Sequence, residues 1–315
     1  MKKVTRSVKK LPQTVSGIWV AILLIVLLGI SLVYMKYPTV FQAGAKGRGY
    51  TYYGTQVMRT WPSVNPGHYQ WADLTLTNAS QRIARVTIAI LSGKDGAGRA
   101  NGEQLHQYDV TIEPQATYES SSDPNWTSLP DNFDSAGIQT LGWVRIDSIT
   151  PLMGAVHYRR TNGDAASSPI VEESSMPILT TVQKKWTIAS VFYDWPADPK
   201  VSTGKSQWST ITVINPNATS ATVRINLFTS KAARPIQTYT RTIPAFGEYS
   251  TFEDWKTFIF PDIDQYAPGN QFMGSATIES TIPVFGFLRD RIITGRGNDR
   301  YPAELLLTRD MPFKK

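Results

Sequence analysis

Residues 70–91 read QWADLTLTNASQRIARVTIAIL, and residues 207–228 read QWSTITVINPNATSATVRINLF. At a constant offset of 137, Trp71 matches Trp208, Asn78 matches Asn215, Val86 matches Val223 and Ile88 matches Ile225. A second pair follows in the same order. QTLGWVRIDSITPLMG (139–154) matches QFMGSATIESTIPVFG (271–286) at an offset of 132, pairing Gly142 with Gly274, Ile146 with Ile278, Pro151 with Pro283 and Gly154 with Gly286. Two long matches in the same order indicate a duplicated unit. Residues shared by both copies build the fold, and chemistry or recognition belongs where the copies differ.

The repeated phrase has the period of a strand. Leu74 and Leu76 alternate with Thr75 and Thr77, and Val86, Ile88 and Ile90 alternate with Thr87 and Ala89. In the second copy Ile211 and Val213, then Val223, Ile225 and Leu227, repeat it. Asn-Ala-Ser-Gln and Asn-Pro-Asn-Ala-Thr between them are turn chemistry. Further strand-like runs cover 106–112, 141–148 and 152–159, and again 237–243, 273–280 and 283–289. Pro151 and Pro283 fall between two of these runs, where a missing N–H does least harm. The expectation is an all-β fold of two tandem antiparallel β-sandwiches, over 50–177 and 178–315. Both end in Met-Pro, at Met176-Pro177 and Met311-Pro312.

Outward from the repeats, the N-terminus has a different character. Lys2, Lys3, Arg6, Lys9 and Lys10 crowd residues 1–16, which hold no acid, and Gly17–Tyr34 is uncharged and almost wholly apolar. Eighteen helical residues span about 27 Å, close to the hydrocarbon thickness. Trp19 near one end, and Tyr34 and Tyr37 near the other, sit where an aromatic belt places them. The reading is a basic cytoplasmic tail (1–16), a single transmembrane helix (17–36), a Gly/Ala-rich linker (37–49), and everything beyond it outside the cytoplasm. A cleaved signal peptide is the rival, with Ala43-Gly-Ala45 as its small-x-small site; that site lies well past an apolar run longer than a usual signal core.

Composition removes several functions. The net charge is +7, from 32 basic and 25 acidic residues. Five of the basic residues lie in the first ten positions, leaving 27 against 25. The basicity is mostly a topology signal, so no nucleic acid is expected as a partner. The chain has no Cys, which excludes disulfides, thiolate metal sites and cysteine nucleophiles.

The succession of strand, Asn215-Pro216 turn, Ala221-Thr-Val-Arg-Ile225 strand, Pro-containing turn and Gly274-x-x-x-Ile278-x-Ser280 strand, with Gly142-x-x-x-Ile146-x-Ser148 in the first copy, resembles bacterial envelope modules of the immunoglobulin-like and fibronectin type III-like kind. The resemblance implies a fold and a location at the bacterial cytoplasmic membrane, with both sandwiches periplasmic or extracellular. It brings no catalytic residue with it.

Chemistry-bearing motifs weigh little. Gly204-Lys205-Ser206 mimics the end of a phosphate loop, but Pro199 stands where the loop needs Gly and no helix pattern follows, so no nucleotide is expected. Gly93, Gly96, Gly98 and Gly102 read as a hairpin loop. His68, His106 and His157 lack ligand spacing, and the acid pairs Asp194/Asp198, Glu253/Asp254 and Asp262/Asp264 lack a calcium-loop pattern. A glycosidase-type carboxylate pair is spatial and has no sequence signature here. Asn78, Asn125 and Asn217 open Asn-x-Ser/Thr triplets, which would be glycan acceptors in a eukaryote or archaeon; Asn217 and Asn78 read more simply as turn residues.

Most tryptophans are paired between copies: Trp61 with Trp195, Trp71 with Trp208, Trp126 nearly with Trp255. These read as core. Trp143, opposite Ser275, and Trp186 have no counterpart and are the candidate interaction residues. The expected function is a non-catalytic, membrane-anchored scaffold or accessory subunit with no cofactor, docking on a larger membrane or envelope complex. The alternatives are a glycan-binding or adhesin module with Trp143 and Trp186 as a stacking platform, and a hydrolase with loop-borne carboxylates.

Overall fold

The computed structural model describes residues 49–59, 61–62, 69–93, 100–127, 140–161, 168–193, 195–196, 205–229, 233–251, 272–294 and 305–312. The proposed membrane segment 17–36, with Trp19, Tyr34 and Tyr37, lies outside them. Among the described residues no helix is long and apolar enough to cross a membrane.

The fold is all-β, built from several antiparallel sheets. In the first half, β1 (Tyr50–Arg59), β4 (Ala84–Ser92), β5 (Gln104–Ile112) and β7 (Thr140–Ser148) form one layer in the order β1-β7-β4-β5. β2 (Trp61–Pro62), β3 (Tyr69–Thr77), β8 (Met153–Thr161) and β9 (Ile170–Pro177) form the facing layer in that order, with β6 (Thr117–Glu119) also on β3. The second half repeats this pairing. β10 (Gln183–Tyr193), β13 (Ala221–Phe228) and β14 (Gln237–Ile243) stand for β1, β4 and β5. β11 (Trp195–Pro196), β12 (Lys205–Ile214), β15 (Glu248–Ser250) and β17 (Leu305–Pro312) stand for β2, β3, β6 and β9. One strand, β16 (Phe272–Thr294), does the work of both β7 and β8.

That last element corrects an expectation. The sequence predicts two strands with Pro283 between them, as at Pro151. Instead β16 runs 23 residues and passes from one sheet into the other, pairing first with β10 and β13 and then with β12 and β17. The side-chain amide of Asn217 donates to the Pro283 carbonyl at 2.7 Å. Ser80 occupies the matching place in the first copy and spends its hydroxyl on Asn78 and Arg82 beside it.

Each half has its own core between its layers. Tyr52, Val57, Leu74, Leu76, Val86, Ile88, Ile146 and Val156 belong to the first, and Trp186, Ile211, Val213, Val223, Ile225, Ile278 and Val284 to the second. The repeated asparagines lock the same corner in each. Asn78 is fully buried and its amide donates to the carbonyls of Arg82, Ile112 and Glu113 at 2.7, 3.0 and 3.2 Å. Asn215 donates to Thr219, Ile243 and Pro244 at 2.8, 3.4 and 2.8 Å. The paired glycines Gly142 and Gly274 lie against the carbonyl oxygens of Leu91 and Phe228, where a Cβ has no room. Residues 50–315 form one compact unit.

Candidate functional site: a seam between the halves

Strand β4 alternates inward and outward at its start and is buried at every position from Ile88 onward. Ile88 and Ile90 face the core; Ala89 and Leu91 point the other way. They are covered because the second half packs there. Ala89, Leu91, Trp143, Ile214 and Phe285 form a third apolar cluster, flanked by Tyr53, Leu179, Val182 and Phe246. The Tyr53 ring stacks on Phe285 at 4.7 Å and 23°, and Phe285 meets Trp143 edge-on at 5.7 Å and 74°. Burial in this cluster raises the Tyr53 hydroxyl pKa above its ordinary value, and the nearby Arg145 guanidinium offsets part of that rise.

Polar contacts fix the orientation. Trp143 Nε1 donates to the Phe246 carbonyl at 2.8 Å. Asn101 Nδ2 donates to the Glu248 carbonyl, and the Glu248 N–H donates back to Asn101 Oδ1, both at 2.8 Å. Gly102, at φ +88°, lies so close to Phe246 and Gly247 that a Cβ would come within 2.8 Å of their backbone atoms. Tyr53 and Leu179 exchange backbone hydrogen bonds of 2.8 Å each, tying the inter-half connection to β1. On β16, Arg289 is buried with its guanidinium 4.6 Å from the Tyr158 ring centre in the first half. An apolar cluster ringed by directional bonds removes the hinge freedom that tandem modules otherwise keep.

The two candidate interaction residues are therefore not surface residues. Trp143 is 0% exposed and serves the seam; Trp186 is 4% exposed and belongs to the second core. A sugar-stacking platform needs an open ring face, and neither indole offers one. Trp186 also has a counterpart after all. Tyr52 lies opposite Ile146, and Trp186 lies opposite the matching Ile278. The Tyr52 hydroxyl accepts from the Leu152 N–H at 2.7 Å, and Trp186 Nε1 donates to the matching Val284 carbonyl at 3.0 Å. The equivalence was invisible because β1 and β10 precede the stretches that match in sequence.

Other motifs fall as follows. Lys205 and Ser206 open a strand, so no helix follows them. The acid pairs at 194/198, 253/254 and 262/264 and His68 lie outside the described residues. Among the described residues, no group of three or more His, Cys, Asp or Glu side chains is placed to hold a metal ion. A shallow polar depression of about 250 Å³ lies on the outer face of β3 and β8, lined by Asp73, Thr75, Glu119, Ser121, His157 and Arg159. Arg159 bridges Asp73 at 2.7 Å and Glu173 at 3.0 Å, and Trp71 Nε1 also donates to Asp73 at 3.1 Å. Asp73 is thus engaged as a fixed counter-ion. Beneath this face Tyr108 donates to Tyr118 at 2.9 Å and Tyr118 to Asp123 at 2.9 Å. Burial raises both tyrosine pKa values well above the ordinary one.

Sequence reasoning missed Tyr53, Asn101, Phe246 and Phe285, which make the seam with Trp143. The available signal was the contrast between copies. Met153 in one copy is Phe285 in the other, and Gln115 is Phe246. Such changes at matching positions mark where one copy is covered and the other is not. In comparison with known proteins, no family model and no curated protein matches the chain.

Proposed function

We propose that the chain is a single-pass membrane protein of the bacterial cytoplasmic membrane. In this reading residues 17–36 form the anchor, and the two halves are tandem immunoglobulin-like sandwiches outside the cytoplasm. Its role is that of a non-catalytic scaffold or accessory subunit that docks on a larger membrane or envelope complex. The observation that carries this reading is the seam. Trp143, Tyr53, Phe285 and the Asn101–Glu248 pair fix two modules at one mutual orientation. A subunit that holds partners at set positions needs such a body, whereas a string of independent binding modules works with flexible joints. The glycan-binding alternative has lost its stacking residues to the interior.

The test is cross-linking of the intact chain in its native membrane, followed by purification in mild detergent. The expected result is one or more membrane proteins recovered in fixed ratio to the chain. Recovery of the chain alone under every growth condition overturns the subunit reading.

A further inference from the structure

We propose that the end of the first half at which the backbone enters β1 is a bilayer-contact surface whose ligand is the lipid headgroup and upper acyl region; this rests on the anchor reading above. Among the described residues, large apolar side chains stand exposed at six places, and four of them share this end: Tyr50 (41%), Ile83 (47%), Ile149 (62%) and Met153 (60%). The register brings them together. Tyr50, the first residue of β1, and Val86, near the start of β4, both lie opposite Ser148 at the end of β7. Met153 opens β8 just past the turn, and the Tyr50 ring stacks on Tyr52, whose hydroxyl holds that turn at Leu152.

The fold does not require these side chains. The second half repeats the same corner, and its counterparts of Tyr50, Ile83 and Ile149 are Lys184, Ser220 and Thr281, all exposed. The counterpart of Met153 is Phe285, which the seam covers completely. So this end is polar or covered in one copy, and apolar and open in the other.

Covalent reach points to the occupant. Fifteen residues separate Tyr34, the last of the apolar run, from Tyr50. Such a tether reaches at most about 50 Å. The end that starts β1 is the one joined covalently to the anchor segment. Exposed Arg82 and Arg85 flank Ile83 and Glu113 is exposed at that corner; one position further in, Asp147 is held by Thr51 and Arg145, and Asp109 by Thr87. Apolar side chains beside cations suit the interface of an anionic bilayer. A second copy of the chain fits less well: the surface that receives Phe246 and Phe285 is built on Trp143, and the second half has Ser275 there.

The chain has no Cys, so single cysteines report cleanly. Ile149→Cys, Met153→Cys, Ile170→Cys and Met273→Cys variants of the full chain are labelled with an environment-sensitive fluorophore. They are then reconstituted into vesicles of phosphatidylcholine and phosphatidylglycerol that carry nitroxide lipids. Ile170 and Met273, exposed elsewhere, are the controls; Ile170 pairs with Thr161 at the far end of β8, about 26 Å along the strand. The labels at 149 and 153 are expected to shift to the blue and to be quenched at least about twofold more than the controls, as interfacial burial requires. Replacing Ile83→Ser and Ile149→Thr, the residues of the second copy, should abolish the quenching at 153 with an unchanged circular dichroism spectrum. Equal quenching at all four positions on vesicle-bound chain overturns the inference, and so does burial of 149 in native membranes but not in pure lipid, which would assign the surface to a protein. Failure of the chain to float with vesicles overturns the anchor reading instead.

Discussion

Replacing Trp143 by Ser puts into the first copy the residue that the second carries at the matching place. The β7 ladder tolerates Ser there, because Ser275 pairs with Phe228 as Trp143 does with Leu91. The cost should therefore come from the seam. A fully buried indole removes about 200 Å² from water, and at about 25 cal/mol per Å² this amounts to about 5 kcal/mol. Measured Trp→Ala losses of about 3–5 kcal/mol bracket the same figure. Loss of the Nε1 donor leaves the Phe246 carbonyl short of a partner, for about 1 kcal/mol more. Partial collapse of the seam returns some of this, so a loss of about 4–5 kcal/mol is expected. The assay is urea unfolding of the detergent-solubilised chain, with a double-mutant cycle against Phe285→Ala. The pair should couple by about 1 kcal/mol or more, since the rings touch. The single unfolding transition should also split as the halves uncouple. A loss under about 1 kcal/mol, or strict additivity with Phe285→Ala, would refute the seam as the source of rigidity.

Asn78→Ala and Asn215→Ala should each cost about 3 kcal/mol or more, because three carbonyls at a buried corner lose their donor at once; similar losses for the two variants in urea unfolding are the check. Gly142→Ala and Gly274→Ala should destabilise by about 1–3 kcal/mol, since the added methyl meets a backbone oxygen that cannot turn aside; melting temperatures decide it. Tyr108 and Tyr118 keep their protons in the folded state above the ordinary pKa of 10.0, while the unfolded chain releases them. Their contribution is full below about pH 10 and falls as pH rises further, so stability should drop on the alkaline side, and less steeply in Tyr118→Phe. Denaturation between about pH 9 and 11.5 measures the slope.

The fold was legible where one physical rule governs a run of residues. Period-two alternation at 74–77 and 86–90 gave strands with the correct faces, and repetition of Asn78 and Gly142 in the second copy marked positions that backbone geometry dictates. What failed was anything set by contact between distant segments. Pro283 reads as a turn, like Pro151, until Asn217 binds its carbonyl and the strand runs through. Trp143 reads as a surface aromatic because its copy-mate is Ser, yet its partners Phe246 and Phe285 stand more than a hundred residues away. Trp186 reads as unpaired because Tyr52 has a different name and the same job. Aromatic residues with a polar handle are interchangeable where one ring fills a core and one hydrogen bond reaches a backbone group.

Duplication leaves two equivalent surfaces, and a chain that packs one half on the other covers only one of each kind. His157 and Arg289 occupy the same place in their copies, on β8 and β16. His157 is half-buried and lines the polar depression; Arg289 is 2% exposed and lies over Tyr158 across the joint. The same fold position thus has two energetic roles, and exchanging the residues separates them. Arg289→His withdraws a desolvated guanidinium from a ring face and from the packing along its stem, for about 2 kcal/mol. His157→Arg adds a longer cation at an open depression where Arg159 already engages Asp73 and Glu119 is the remaining acid, and should change stability by less than about 0.5 kcal/mol. Urea unfolding of the two variants measures the difference. Equal losses would mean that burial at 289 contributes nothing beyond what the fold position itself demands, and that the second copy was not reshaped to receive the first.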